Sequence, residues 1–133
     1  MPNWQPDWQD VRWNYADAER AAGELDRAAE EFDSTSDAQR QAAGSASPEW
    51  RGSYRRRFDE QLSQAQRTAW WEAGELRELA ARIRRATQAA RDEQARRERE
   101  RERWRREKAE EDARRAREQR ARQEQAQRAA SGG

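Results

Sequence analysis

The chain offers chemistry of a narrow kind: 27 carboxylates and 28 cationic side chains, with neither a cysteine nor a histidine. Thiol nucleophiles, disulfides, imidazole catalysis and typical zinc sites are therefore excluded. Acids such as Asp59 and Glu60 are plentiful, yet nothing around them suggests a concave pocket that would shift their pKa values, and a solvated helical face explains them. No catalytic, cofactor-binding or metal-binding residue is assigned, and no enzymatic activity is expected. Arg55-Arg56-Arg57 beside Tyr54 has the charge to contact phosphate, but a helix spreads three consecutive residues over about 200° of arc, so nucleic-acid binding is the least favoured function. What remains is recognition by aromatic side chains, of which there are seven tryptophans. The most informative group is Trp50-Arg51-Gly52. A bulky indole followed two positions later by the residue best able to turn the backbone marks a corner between two helices.

The elements that must hold this corner are helices. Alanine, glutamate, arginine, leucine and lysine make up 76 of the 133 residues, the composition of long helices and coiled coils. The only large aliphatics beyond Met1 are Val11, Leu25, Leu62, Leu76, Leu79 and Ile83, too few for an ordinary globular core. The net charge of only +1 argues against disorder. The expected fold is all-α: an antiparallel helix-turn-helix hairpin with a long charged C-terminal helical extension.

Along the chain, residues 1–9 form a lead-in containing Trp4, Trp8, Pro2 and Pro6, after which Asp7 or Asp10 caps a first helix at about 10–43. Its seam reads Val11, Tyr15, Ala18, Ala22, Leu25, Ala29 and Phe32, stepping by four and three; polar Ser36 and Gln39 continue it and predict fraying from about Ser34. A turn at about 44–52 follows, where Gly44-Ser45-Ala46-Ser47 and Pro48 stop the helix. The second helix begins near Ser53 with Tyr54, Phe58, Leu62, Ala65, Ala69, Ala73, Leu76, Ala80, Ile83, Thr87 and Ala90. Leu79 and Ala86 broaden that stripe to the width of a bundle helix. Gly74 falls inside it, either at a close helix crossing or on the surface.

Charge separates the arms. Residues 1–48 carry 4 basic and 10 acidic side chains and residues 49–90 carry 9 and 6, which favours an acidic arm packed antiparallel on a basic one, within a chain or between two. Residues 96–130 are an Arg/Glu-rich tail with almost no apolar seam. Acid-to-arginine pairs at i and i+4, including Glu93 to Arg97 and Glu111 to Arg115, predict a charged single helix or coiled coil continuing the second arm, with a disordered end at 131–133; disorder of the isolated tail is the alternative.

Two helices joined at Trp50-x-Gly52, with Tyr54, Phe58 and Leu62 following at near-heptad spacing, resemble the WXG superfamily of small, early-secreted-antigen-like helical hairpins. The resemblance covers about residues 11–95. It implies that the hairpin dimerises into a four-helix bundle, as a homodimer or a heterodimer with another WXG-like hairpin, and that it has a role in the type VII secretion system of actinobacteria and related Gram-positive bacteria, as secreted substrate or as dimerisation partner and chaperone. It further implies that Trp50 and Gly52 form half of an export signal offered to an FtsK-like secretion ATPase. The family's other half, a tyrosine followed four residues on by an acid after the second helix, has no match here. Tyr15 with Glu19 lies in the first helix, and Trp104 with Lys108 is the nearest aromatic surrogate in the tail.

Six residues are candidates for binding a partner or the secretion machinery: Trp50, Gly52, Tyr54, Phe58, Trp70 and Trp71. Adjacent Trp70 and Trp71 cannot both face one seam, so one is expected to flank the core and the other to face outward. Trp4, Trp8 and Trp13 are expected to pack as a covering arm. The N-terminus has neither a basic region nor an apolar run, so no cleavable signal peptide is expected, and no transmembrane segment follows. The resemblance places the protein outside the cell or in the envelope. The alternative is a cytoplasmic coiled-coil adaptor or spacer.

Overall fold

The structure is a computed structural model that describes residues 2–45 and 49–132. It contains two helices, α1 (Tyr15–Gly44) and α2 (Ser53–Ser131), and no strand among the described residues. The chain divides into two compact units. One comprises Trp13–Ala89, and the other Met1–Arg12 together with Ala90–Gly133.

In the first unit α1 starts at Tyr15, five residues later than the sequence suggests. Asn14 is the residue that caps it: its backbone is extended at φ −89° and ψ 94°, and its side-chain oxygen accepts the Asp17 N–H at 3.0 Å. Asp17 then supplies the first-turn acid that favours a helix N-terminus. Of the two expected caps, Asp10 is bound elsewhere by Gln94 and Arg101, and Asp7 accepts the Gln9 N–H at 2.9 Å, ahead of the helix. At the other end α1 does not fray from Ser34 but stays helical to Gly44, where the Ser45 N–H closes on Gln41 O at 3.0 Å. Ala46, Ser47 and Pro48, part of the expected helix stop, lie outside the described residues. Helix α2 opens at Gly52, whose φ is +100° and whose carbonyl accepts the Arg56 N–H at 3.1 Å.

The two helices of this unit run antiparallel. Asp33 pairs with Arg77, Asp26 with Arg84 at 2.7 Å, and Gln66 donates to Ser36 O at 3.4 Å, so positions rising along α1 meet positions falling along α2. Among the described residues of this unit, the buried positions are Ala22, Ala29 and Ser36 on α1 and Ala73, Ala80 and Thr87 on α2. The four alanines are buried completely, and on each helix these positions recur every seven residues. Small side chains at this period let two backbones approach closely and limit how much apolar surface the contact removes from water, since each buried methylene-sized group contributes only about 0.8 kcal/mol. No large side chain among the described residues is fully buried.

In the second unit α2 continues without interruption through the Arg/Glu-rich sequence. It stays helical to Ser131, closing with a Gly132 N–H to Arg128 O bond, so Ser131 does not belong to the expected disordered end, and Gly133 lies outside the described residues. Ion pairs along its surface include Glu93–Arg97, Glu111–Arg115 and Arg103–Glu107 at one-turn spacing. No helix is long and apolar enough to cross a membrane among the described residues.

Candidate functional site

The corner is built from the start of α2 backward. Gly52 sits in the left-handed region that side chains rarely adopt, and a Cβ placed there would meet nothing within 4 Å. The glycine is therefore required by backbone conformation and not by crowding. This turn brings Trp50 against Phe58, one and a half turns into α2, with ring centroids 5.2 Å apart. Arg55 caps both rings, its guanidinium carbon 5.2 Å from the Trp50 centroid and 5.9 Å from that of Phe58, while its Nε donates to Asp59 at 3.1 Å. The stack holds the indole in place yet leaves it 39% exposed, and Tyr54 beside it is 76% exposed. Arg55 and Arg56 in the first turn oppose the helix dipole, and that turn contains no acid. The corner is thus an aromatic surface with a cationic rim.

Next to it, Phe58, Leu62 and Ala65 of α2 and Ala42 and Ala43 of α1 line an open apolar groove. Further along α2, Trp70 and Trp71 are both exposed, at 75% and 56%. The expectation that one of them flanks the core is corrected: the buried line runs through Ala73 and Ala80, and both indoles lie beside a shallow surface formed with Gln64, Arg67 and Thr68. Gly74 is exposed with open space around it, a surface glycine and not a helix crossing.

Of the expected seam, Ala22 and Ala29 are buried, and Tyr15, Ala18, Leu25, Leu62, Ala69, Leu76 and Ile83 are partly buried. Phe32 and Leu79 are exposed at 40% and 43%, and Ala65 is exposed as well, so these three sit outside the two-helix contact. Val11 is not a seam residue of α1, because it precedes the helix and its N–H donates to Gln94 Oε1 at 2.8 Å. Trp13 donates to Thr87 Oγ1 at 3.1 Å and lies near Leu79 and Ile83.

The second unit holds a site that the sequence reading leaves out. Residues 2–12 lie extended against α2 and are gripped largely through their main chain. Trp104 donates its indole N–H to Trp4 O at 3.0 Å. Arg101 donates to Asp7 O, Gln9 O and the Asp10 carboxylate at 2.7 to 2.9 Å, and Arg97 donates to Gln9 O at 2.9 Å. Gln94 both accepts from Val11 N–H and donates to Asp10. Rings complete the contact: Trp8 meets Trp104 edge to face at 5.3 Å, and Trp4 donates to Glu107 at 2.7 Å beneath the Arg103 guanidinium at 4.6 Å. Pro6 is buried in this contact. Trp104 with Lys108, the surrogate pair for the missing signal, is engaged here, the ammonium 5.4 Å from the ring centroid.

These contacts set the charge states. Hydrogen bonds from Gln94 and Arg101 hold the Asp10 carboxyl below its ordinary value, and those from Trp4 and Arg103 do the same for Glu107. Arg96 and Arg97 lower Glu93 to about 2. No group of three or more acidic side chains is arranged to hold a metal ion among the described residues.

No family model matches this chain, and no curated protein or solved structure shows significant similarity to it.

Proposed function

We propose that this protein is a non-enzymatic helical hairpin of the WXG type that pairs with a second hairpin, its own copy or a related chain, into a four-helix bundle. In this reading it serves a type VII secretion system as secreted substrate or as partner and chaperone, and it acts outside the cell or in the envelope. The observation that carries the reading is the corner: an antiparallel hairpin turning at Trp50-Arg51-Gly52, with Gly52 at φ +100° and Trp50 held outward by Phe58 and Arg55. Pairing is supported by the apolar surface the hairpin leaves uncovered, including Phe32, Leu79, Trp70 and Trp71, over a seam made of alanine, serine and threonine. Trp50 and its cationic rim suit an acidic, aromatic-accepting surface on an FtsK-like secretion ATPase. The tyrosine-acid half of the export signal comes from the partner chain, since Tyr54 is the last tyrosine here.

The test is Trp50→Ala, read by circular dichroism and by export into culture supernatant or capture of the ATPase. Helicity and pairing should stay, because the ring contacts of the indole, with Phe58 and Arg55, are local in the chain, and export or capture should fall by an order of magnitude or more. Loss of folding would make Trp50 structural. A folded variant exported like wild type would overturn the secretion reading.

A cytoplasmic coiled-coil adaptor or spacer is the second reading, favoured by the 79-residue α2 and its ion-paired surface. It requires neither an exposed Trp50 nor a secretion ATPase, and the same variant separates the two.

A further inference from the structure

The face of α2 that holds residues 2–12 has the properties of a receptor for a peptide. Its binding residues, Gln94, Arg97, Arg101 and Trp104, step by three, four and three, so they form one stripe on the helix. They read features that any extended segment presents, the carbonyls of Trp4, Asp7 and Gln9 and the N–H of Val11, and add selectivity through an acid at position 10 and an indole at position 8. The grip is substantial for a surface so charged: the Arg101 and Arg97 side chains are only 12% and 20% exposed. Main-chain recognition of this sort does not depend on which chain supplies the segment.

We propose that this stripe is an exchangeable peptide site, filled by the protein's own N-terminal segment or by the N-terminal segment of a second copy, so that two copies can be linked by swapping residues 2–12. A second copy is the matching occupant because it necessarily presents the same acidic, tryptophan-bearing sequence, Trp4-Gln5-Pro6-Asp7-Trp8-Gln9-Asp10. Exchange of an identical element is a low-cost route to association, since every contact of the closed form is remade. The proposal stands independently of the secretion reading, because it uses neither Trp50 nor the hairpin surface.

Complementation between two full-length variants tests it. In one, Asp7→Lys with Asp10→Lys sets like charges against Arg97 and Arg101, which disables the segment and leaves the receptor stripe intact. In the other, Arg97→Glu with Arg101→Glu disables the stripe and leaves the segment intact. The readout is hydrogen exchange at the Val11 amide of the isotopically labelled stripe-defective variant. Alone it should exchange rapidly. Mixed with an excess of the segment-defective variant it should be protected at least about tenfold more, because its segment finds the intact Gln94 of the other copy; a site filled nine-tenths of the time slows exchange by about that factor. A mixture no better protected than the labelled variant alone overturns the proposal. If the double arginine variant loses helicity by circular dichroism, Trp104→Ala replaces it as the stripe-defective partner and the same two outcomes decide.

Discussion

The hairpin of Trp13–Ala89 and the strapped helix of residues 90–132 meet the same difficulty, a helix without a large apolar face, in opposite ways. In the hairpin the contact is made by Ala22, Ala29 and Ser36 against Ala73, Ala80 and Thr87, which brings the helices together while Phe32, Leu79, Trp70 and Trp71 stay exposed. On the strapped helix Trp104 and two arginines gather an extended segment of the same chain, and most of the hydrogen-bond donors go to main-chain carbonyls. The first arrangement leaves apolar surface for something else to cover. The second satisfies itself in cis. Small-residue seams and main-chain grips therefore produce different dependences on partner, salt and mutation.

The largest effect should come from enlarging the seam. Ala80→Leu introduces three carbons at a completely buried position of α2, and overpacking of this kind costs about 1–3 kcal/mol. Urea denaturation followed at 222 nm should show that loss, with residues 2–12 still held. Equal stability would mean that the helices separate without penalty and that the seam is not a tight contact.

Trp104→Ala should act in the other region alone. It removes the indole bond to Trp4 O and the edge-to-face contact with Trp8, together worth about 1–2 kcal/mol of strap closure. Red-shifted tryptophan emission and faster exchange at Val11 are expected, with the hairpin melting unchanged. Coupled loss of both would erase the distinction between the regions.

Gly52→Ala should cost about 1 kcal/mol, for backbone reasons only, since a methyl group finds open space there while φ +100° remains strained for an L-residue. A semisynthetic protein with D-alanine at position 52 should recover the loss, as judged by thermal melting. Failure to recover would point to a steric role instead.

Acid should release the strap and spare the hairpin seam, the smallest effect because the groups are solvent-exposed and screened. Asp10 and Glu107 have folded pKa values below their ordinary 3.8 and 4.5, so their contribution is fully present above those values and is lost as pH falls through the depressed ones. The strap should be closed at pH 6 and open progressively below about pH 4. Tryptophan emission against pH checks this, and a flat profile between pH 6 and pH 2 would contradict it.

Much of the helical architecture was legible because composition and period are local properties. Alanine recurring every seven residues at Ala22 and Ala29, and at Ala73 and Ala80, is visible without coordinates. The α1 start was not, since Asp7, Asp10 and Asn14 are all acceptable caps and only the binding of Asp10 by Arg101 and Gln94 decides among them. The strap site carries no apolar signature, because its stripe is made of one glutamine, two arginines and one tryptophan; the three-four spacing from Gln94 to Trp104 is its trace in the sequence. The placement of Trp70 and Trp71 depended on which helical face the alanine seam selects, a tertiary outcome that adjacency alone cannot give.

Amide hydrogen exchange measured at two protein concentrations, roughly a hundredfold apart, tests the contrast most directly. If the hairpin completes its core with a second hairpin, protection of amides in Ala22–Ser36 and Ala73–Thr87 should rise with concentration. The Val11 amide, held in the closed form by Gln94 of its own chain, should be protected equally at both. Hairpin amides as well protected in the dilute sample as in the concentrated one would show a hairpin stable alone, and would contradict the account.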